Sequence, residues 1–178
     1  MTADEVLERA DGLFTITALR TFRKTAGVLF DAVPMGGLPP IRAIDRVLHA
    51  RGARSPGPAE GVDRPWYMHR GQEDNLIVLA GFRDVELWRD GRRAAFRIGP
   101  ERIERDGAAP IERAVMLSWP TGVFHRIISS GEAGSASINL AVRLPGFDLR
   151  TEFNVYDLDP ATGAFRRVRE GHLDQPGE

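Results

Sequence analysis

An all-β fold, a sandwich or small barrel, is what this chain predicts, and three observations carry the prediction. Apolar runs of about five residues recur between Gly, Asp, Asn and Pro, the pattern of strands joined by tight turns. Asp90 and Gly91 form an Asp-Gly pair between alternating residues, a strong hairpin signal. Over the 178 residues there is no solenoid-period repeat, no low-complexity tract and no second composition regime, so one domain over 1–178 is expected.

The elements follow in order. Residues 2–10, TADEVLERA, offer a cap, acids in the first turn and Arg9 near the end, which predicts a short N-terminal helix ended by Gly12. LFTITALRTF at 13–22 and GVLFDAV at 27–33 are rich in β-branched and aromatic residues and predict an opening strand pair that turns near Gly27. PMGGLPP at 34–40 is a connector, rigid at Pro and free at Gly. IRAIDRVLHA at 41–50 has a helical spacing at Ile41, Ile44, Val47 and Leu48, but is read as a strand leading into the barrel. ARSPGPAEGVDRP at 53–65 is a loop.

Short strands then come quickly as WYMH, DNLIVLA, RDVELW and AAFRI, followed by a polar excursion over 98–114 and by VMLSWP, VFHRIIS and SASINLAVRL. Beyond Pro145 and Gly146 a strand TEFNVY, a turn at DPATG, a strand AFRRV and a polar, frayed end EGHLDQPGE are expected. The barrel core falls at about 42–145, flanked by N-terminal strands over 13–33 and a C-terminal extension over 146–178.

Bulk chemistry narrows the function. Lys and Arg number 24 against 25 Asp and Glu, a net charge of −1 with no basic stripe, which argues against nucleic acid. There is no cysteine, so disulfides, thiolate ligands and cysteine nucleophiles are excluded. The N-terminus lacks the apolar region of a secretory signal, and no apolar stretch approaches the roughly 20 residues of a membrane helix. A cytoplasmic protein without membrane contact is expected. Lys24 is the sole lysine and has no apolar pocket suggested around it, so Schiff-base chemistry is disfavoured. Phosphate-binding glycine loops and a G-x-S-x-G elbow are also missing from the sequence.

Two stretches stand apart. In WYMHRGQEDNLIVLAG, at 66–81, His69 is followed by Asp74 and then by Gly81. In WPTGVFHRI, at 119–127, Pro120, Gly122 and His125 stand as P-x-G-x-x-H. Two of the chain's 4 histidines fall in these stretches. Together they resemble the paired motifs of the cupin superfamily, whose first motif carries two histidines, a glutamate and a closing glycine, and whose second carries a histidine and an asparagine. Matched by position, Tyr67 stands on the first histidine, His69 on the second, Asp74 on the glutamate, Gly81 on the closing glycine and His125 on the second-motif histidine. Ser129 replaces the final asparagine. The resemblance covers 66–81 and 119–129 well and implies a double-stranded β-helix barrel with its site inside.

It also implies a divalent metal (Fe, Mn, Ni or Zn) on His69, Asp74 and His125, a set that leaves coordination positions open. A polar cavity in which the two histidines are only hydrogen-bonded is the alternative. Tyr67, two residues from His69, shares its strand face and is a candidate catalytic acid, a weak ligand or an aromatic wall. Gln72 and Glu73 lie in the turn before Asp74, and Gln72 is a candidate substrate contact. Asn139 and Arg143 share a face and bind substrate if that face is inward. Arg126 points to the opposite face, toward an ion pair, while His49 and His172 match no motif; for His49, which precedes the Pro-rich loop, the readings are the barrel mouth and, in preference, the surface. The expected function is a small-molecule cupin, dioxygenase-like or isomerase-like. A metal-free sugar epimerase or isomerase and a non-catalytic binding module are the alternatives. A homodimer is expected, with the N-terminal strands reaching across to a second copy.

Overall fold

The computed structural model describes residues 5–176. Its first element corrects the expected N-terminal helix: Val6–Ala10 is a strand, β1, paired antiparallel with β2 (Phe14–Ala18). Residues 2–4 of that expected helix lie outside the described residues. So short a segment gains little as an isolated helix. As a strand it completes the ladder of β2 and sets Leu7 and Ala10 against the core.

The strand expected over 13–22 is split: its first part is β2 in the large sheet, and Arg20–Thr25 (β3) pairs with Val28–Ala32 (β4) around Gly27 as a separate two-stranded ribbon. Ala43–His49 (β5) is the strand read over 41–50. The Pro-rich stretch after it is irregular except for Arg54–Ser55 (β6) and one isolated bridge, Ala59 to Val62. Then come Trp66–Met68 (β7), Gln72–Ala80 (β8), Arg83–Arg89 (β9) and Arg92–Gly99 (β10). Gln72 and Glu73 are therefore strand residues, not turn residues. Between β9 and β10, Asp90 (φ 49°) and Gly91 (φ 75°) both take the left-handed conformation that a tight two-residue hairpin requires.

The polar excursion at 98–114 holds one more strand, Arg102–Arg105 (β11), with a single apolar residue, Ile103, turned into the core. One apolar position is too little alternation to show in the sequence. Val115–Trp119 (β12), Phe124–Ser129 (β13) and Ser135–Arg143 (β14) stand where they were expected. The first half of TEFNVY departs from expectation, because Leu149–Glu152 is a helical turn, α1, capped by the Asp148 side chain accepting the Arg150 N–H. Val155–Leu158 (β15) and Phe165–Arg169 (β16) then pair. The C-terminal stretch is ordered through 176 rather than frayed. A 3-10 turn at Gly171–Asp174 is held by Arg169 on Asp174 at 2.7 Å and by Asn154 Oδ1, which accepts the Gly171 N–H. Residues 177 and 178 lie outside the described residues.

Two antiparallel sheets result. One runs β1-β2-β12-β8-β14-β5, and the other β11-β10-β9-β13-β7-β15-β16, with β6 also on β13. Where β2, β8 and β12 face β9, β10 and β11, the interior is dry, filled by Ile16, Leu76, Val78, Val85, Leu87, Phe96, Ile98, Ile103 and Leu117. Each such side chain stabilises the fold by about 1.5–3 kcal/mol relative to exposure. The outer faces are covered as well: Leu19, Ile77, Met116 and Leu140 lie under Val33, Leu38 and Ile41, while Trp66, Met68, Trp88 and Phe124 lie with Tyr156 and Leu158. Among the described residues no helix is long and apolar enough to cross a membrane.

Gly81, between β8 and β9, is the tightest point. It sits at φ +68°, and a Cβ there would overlap the carbonyl oxygen of Gly134; a Cβ on Gly134 would in turn overlap the carbonyl oxygen of His49. Strain and overlap together predict that Gly81→Ala costs about 2–5 kcal/mol in chemical unfolding. Gly27→Ala, at φ +73° with nothing within 4 Å, should cost about 1–2 kcal/mol. Equal losses for the two variants would show that the close approach does not matter.

Candidate functional site

Beyond the dry core, β5, β8 and β14 face β6, β7, β9 and β13 across a cavity of about 220 Å³. Strand alternation decides what enters it. Asp74 and Leu76 come from β8, Asn139 and Ser137 from β14, Asp45, Val47 and His49 from β5, and His125 and Ile127 from β13. Tyr67 and His69 come from β7 and the residue following its partner Met68.

His69, Asp74 and His125 converge, as the resemblance implied. One ligand atom from each lies within 4.8 Å of the others, and all three residues are buried. The His69 and His125 rings are 4.8 Å apart by centroid. His69 Nδ1 faces the carbonyl oxygen of Glu152, and His125 Nδ1 faces that of Val123 at 3.3 Å. A carbonyl only accepts, so each Nδ1 carries a proton and each Nε2 is turned away from the carbonyl, toward the cavity side of its ring. Those Nε2 atoms stand 3.6 Å and 4.0 Å from Asp74 Oδ2, too far for a hydrogen bond. Although that is ion-pair range, burial, aided by the neighbouring His69, holds His125 down at about 4 against the pull of Asp74, so it is neutral at physiological pH.

Asp74 is held on one side only. Its Oδ1 accepts from Gln72 Nε2 at 2.8 Å and from Asn139 Nδ2 at 2.7 Å, while its Oδ2 is buried without a hydrogen-bond partner. Gln72 and Asn139 thus position the carboxylate. Arg143 stays at the rim: it donates to Gln72 Oε1 at 3.3 Å, lies 3.6 Å from Asp45 and stacks over Phe147, and it is not part of the cavity wall.

Tyr67 is in the wall, its ring 6.2 Å from His69 and 6.0 Å from His125. Burial, then the charge of Asp174, raises its hydroxyl above the ordinary phenol range, so it keeps its proton. Arg126 is on the outer face as expected, paired with Glu86 at 2.9 Å and lying 4.0 Å over Trp66.

Several residues of the site were not foreseen. Glu152 Oε2 accepts the N–H groups of Arg70 and Gly71 at 2.8 and 2.9 Å, and its own carbonyl orients His69. Phe153 packs on His69 at 4.9 Å. His49, read as surface, lines the cavity, and burial followed by Arg83 holds it at about 4. Arg83 lines it too, at 1% exposure. A signal for Arg83 was available: alternation in RDVELW sets it on the face of Val85 and Leu87.

No family model and no curated protein matches this chain. Among solved structures it is similar to the sugar 3,4-ketoisomerase QdtA of Thermoanaerobacterium thermosaccharolyticum, solved in complex with TDP, at 12% identity and a TM-score of 0.54 over 76% of this chain and 82% of that one. It also resembles the TDP-quinovose 3,4-ketoisomerase WlaRB of Campylobacter jejuni, at 18% identity and a TM-score of 0.49 over 76% of this chain and 87% of that one. At 12% identity what is shared with the first of these is architecture alone, that of an RmlC-like cupin. The chain has the all-β, cupin-like fold that its two histidine motifs resemble.

Proposed function

We propose that the cavity is the active site of a small-molecule enzyme in which His69, Asp74 and His125 hold a divalent first-row metal. The observation that carries this reading is the orphaned Oδ2 of Asp74. A buried carboxylate oxygen without a partner costs several kcal/mol, and the Nε2 atoms of His69 and His125 stand 3.6 and 4.0 Å from it. Three potential ligand atoms, all buried and within 4.8 Å of one another, suit a cation. The spacings of 3.6 and 4.0 Å lie within the span of two bonds of about 2.1 Å to one ion. When bound, such an ion supplies Lewis-acid polarisation of a ligand oxygen.

The chain's own groups do the rest. Gln72 and Asn139 fix Asp74, Glu152 and Val123 fix the two imidazoles, and Trp119 and Phe153 narrow the space above them. Tyr67 holds a proton beside the centre. The chain works as one domain, because the cavity wall draws on residues from Asp45 to Phe153.

Protein purified without chelator should contain about one equivalent of iron, manganese, nickel or zinc, absent from His125→Ala and Asp74→Asn. Asn139→Leu, which loosens the carboxylate, should weaken metal affinity about 10–100-fold. Wild-type protein with no stoichiometric metal by elemental analysis would remove the metal from this reading.

A second reading then takes over, in which His69, His125 and Tyr67 move protons on a sugar without metal. Its support is the shared architecture with a sugar 3,4-ketoisomerase.

We also infer a homodimer. The β3–β4 ribbon exposes Phe22, Val28, Leu29 and Phe30, and the edge strand β5 turns Ile44 and Leu48 outward at 66% and 58% exposure. A second copy is the partner this pattern fits, since two such ribbons can cover each other's β5 edge. Sedimentation at micromolar concentration should give a dimer, and Phe22→Asp with Phe30→Asp should give a monomer that keeps its metal. A monomeric wild type would refute the assembly.

A further inference from the structure

The cavity has a second pole. Along β9 and β13 the register sets His125 opposite Leu87, Ile127 opposite Val85 and Ser129 opposite Arg83. Along β14 and β5 it sets Asn139 opposite Asp45, Ser137 opposite Val47 and Ser135 opposite His49. The inward residues therefore form three layers. The histidines and Asp74 mark one end, Ile127, Val47 and Ser137 the middle, and Arg83, His49, Ser129 and Ser135 the other end. Four residues of strand separate the end layers, about 13 Å between backbone positions, a gap that the long Arg83 side chain shortens.

Arg83 is a buried cation with no carboxylate to neutralise it among the described residues. Its Nε donates to Ser135 Oγ at 3.1 Å and one terminal nitrogen donates to the Val47 carbonyl at 3.1 Å. The other terminal nitrogen has no hydrogen-bond partner among the described residues. Two more polar atoms lining the cavity, His49 Nδ1 and Ser137 Oγ, are buried and unpartnered. Elsewhere half-buried arginines pair with acids, as Arg126 does with Glu86. One terminal nitrogen of a guanidinium, a hydroxyl and an imidazole left open in one space match the acceptor pattern of a carboxylate.

Size selects the ligand further. A cavity of about 220 Å³ holds the volume of about seven waters, below the range usual for drug-sized ligands. We propose that the substrate is a small organic acid whose carboxylate is received by Arg83, His49 and Ser137, while its reacting oxygen lies at the His69, Asp74 and His125 centre. The assignment rests on reading this cavity as a small-molecule site, but it does not require the metal.

The test uses the full chain and isothermal titration with pyruvate and acetoacetate, each against its methyl ester, and with inorganic phosphate. Wild-type protein should bind at least one acid, with its ester about tenfold weaker or more. Arg83→Met should weaken the acid about tenfold or more and leave the ester and the metal content unchanged. Should that variant fail to fold, His49→Phe takes its place, keeping Arg83 but removing the imidazole nitrogen, and the same direction is expected. Acid affinity unchanged in a folded variant, no acid binding up to about 10 mM, or phosphate bound through Arg83 with neither acid bound would each overturn the proposal. The titrations are repeated after chelation. Arg83-dependent acid binding that persists there supports the subsite even where elemental analysis finds no ion, so the two readings fail separately.

Discussion

Asp74 and Arg83 are opposite charges buried in one cavity, and neither neutralises the other. The hydrogen-bond partners of each are neutral dipoles: two amide groups on the carboxyl, a hydroxyl and a backbone carbonyl on the guanidinium. Holding ions apart in this way costs several kcal/mol per charge. It persists only where the surroundings are too rigid to let the charges collapse together. The dry half of the interior supplies that rigidity, because β8 and β9 carry both kinds of residue. Leu76 and Val78 follow Asp74 on β8, and Val85 and Leu87 follow Arg83 on β9.

The strands of the cavity wall are also held from outside. Trp66, Met68, Trp88 and Phe124 pack behind β7, β9 and β13, and Ile77 and Leu140 pack behind β8 and β14. A wall covered on its outer face can present polar groups inward without opening to solvent. Gly81 and Gly134 bring the β8–β9 and β13–β14 turns into backbone contact with the end of β5, which fixes His49 and Arg83 at the same level.

Much of this was legible in the sequence because strand alternation and motif spacing are local. His69, Asp74 and His125 could be placed from the motifs they resemble, and the β9–β10 hairpin from two residues. Other features depend on contacts between distant parts of the chain. Val6–Ala10 reads as a helix until β2 is present to pair with it. Ile103 is a lone apolar residue until β10 brings it inside. Glu152 gives no local hint of its role, since it meets the Arg70 and Gly71 amides from more than eighty positions away. Arg83 lies between these cases: its alternation with Val85 and Leu87 was visible, but its lack of an acidic partner is a property of the folded chain.

The position of α1 has a consequence for the order in which the molecule is finished. His69 owes its ring orientation to a carbonyl at Glu152, and Phe153 closes over the same ring. A nascent chain whose strands through β14 had already left the ribosome would have both sheets' central strands and an unoriented imidazole. The candidate site is thus completed last during synthesis, when the segment after Pro145 brings the Glu152 carbonyl and Phe153 against His69.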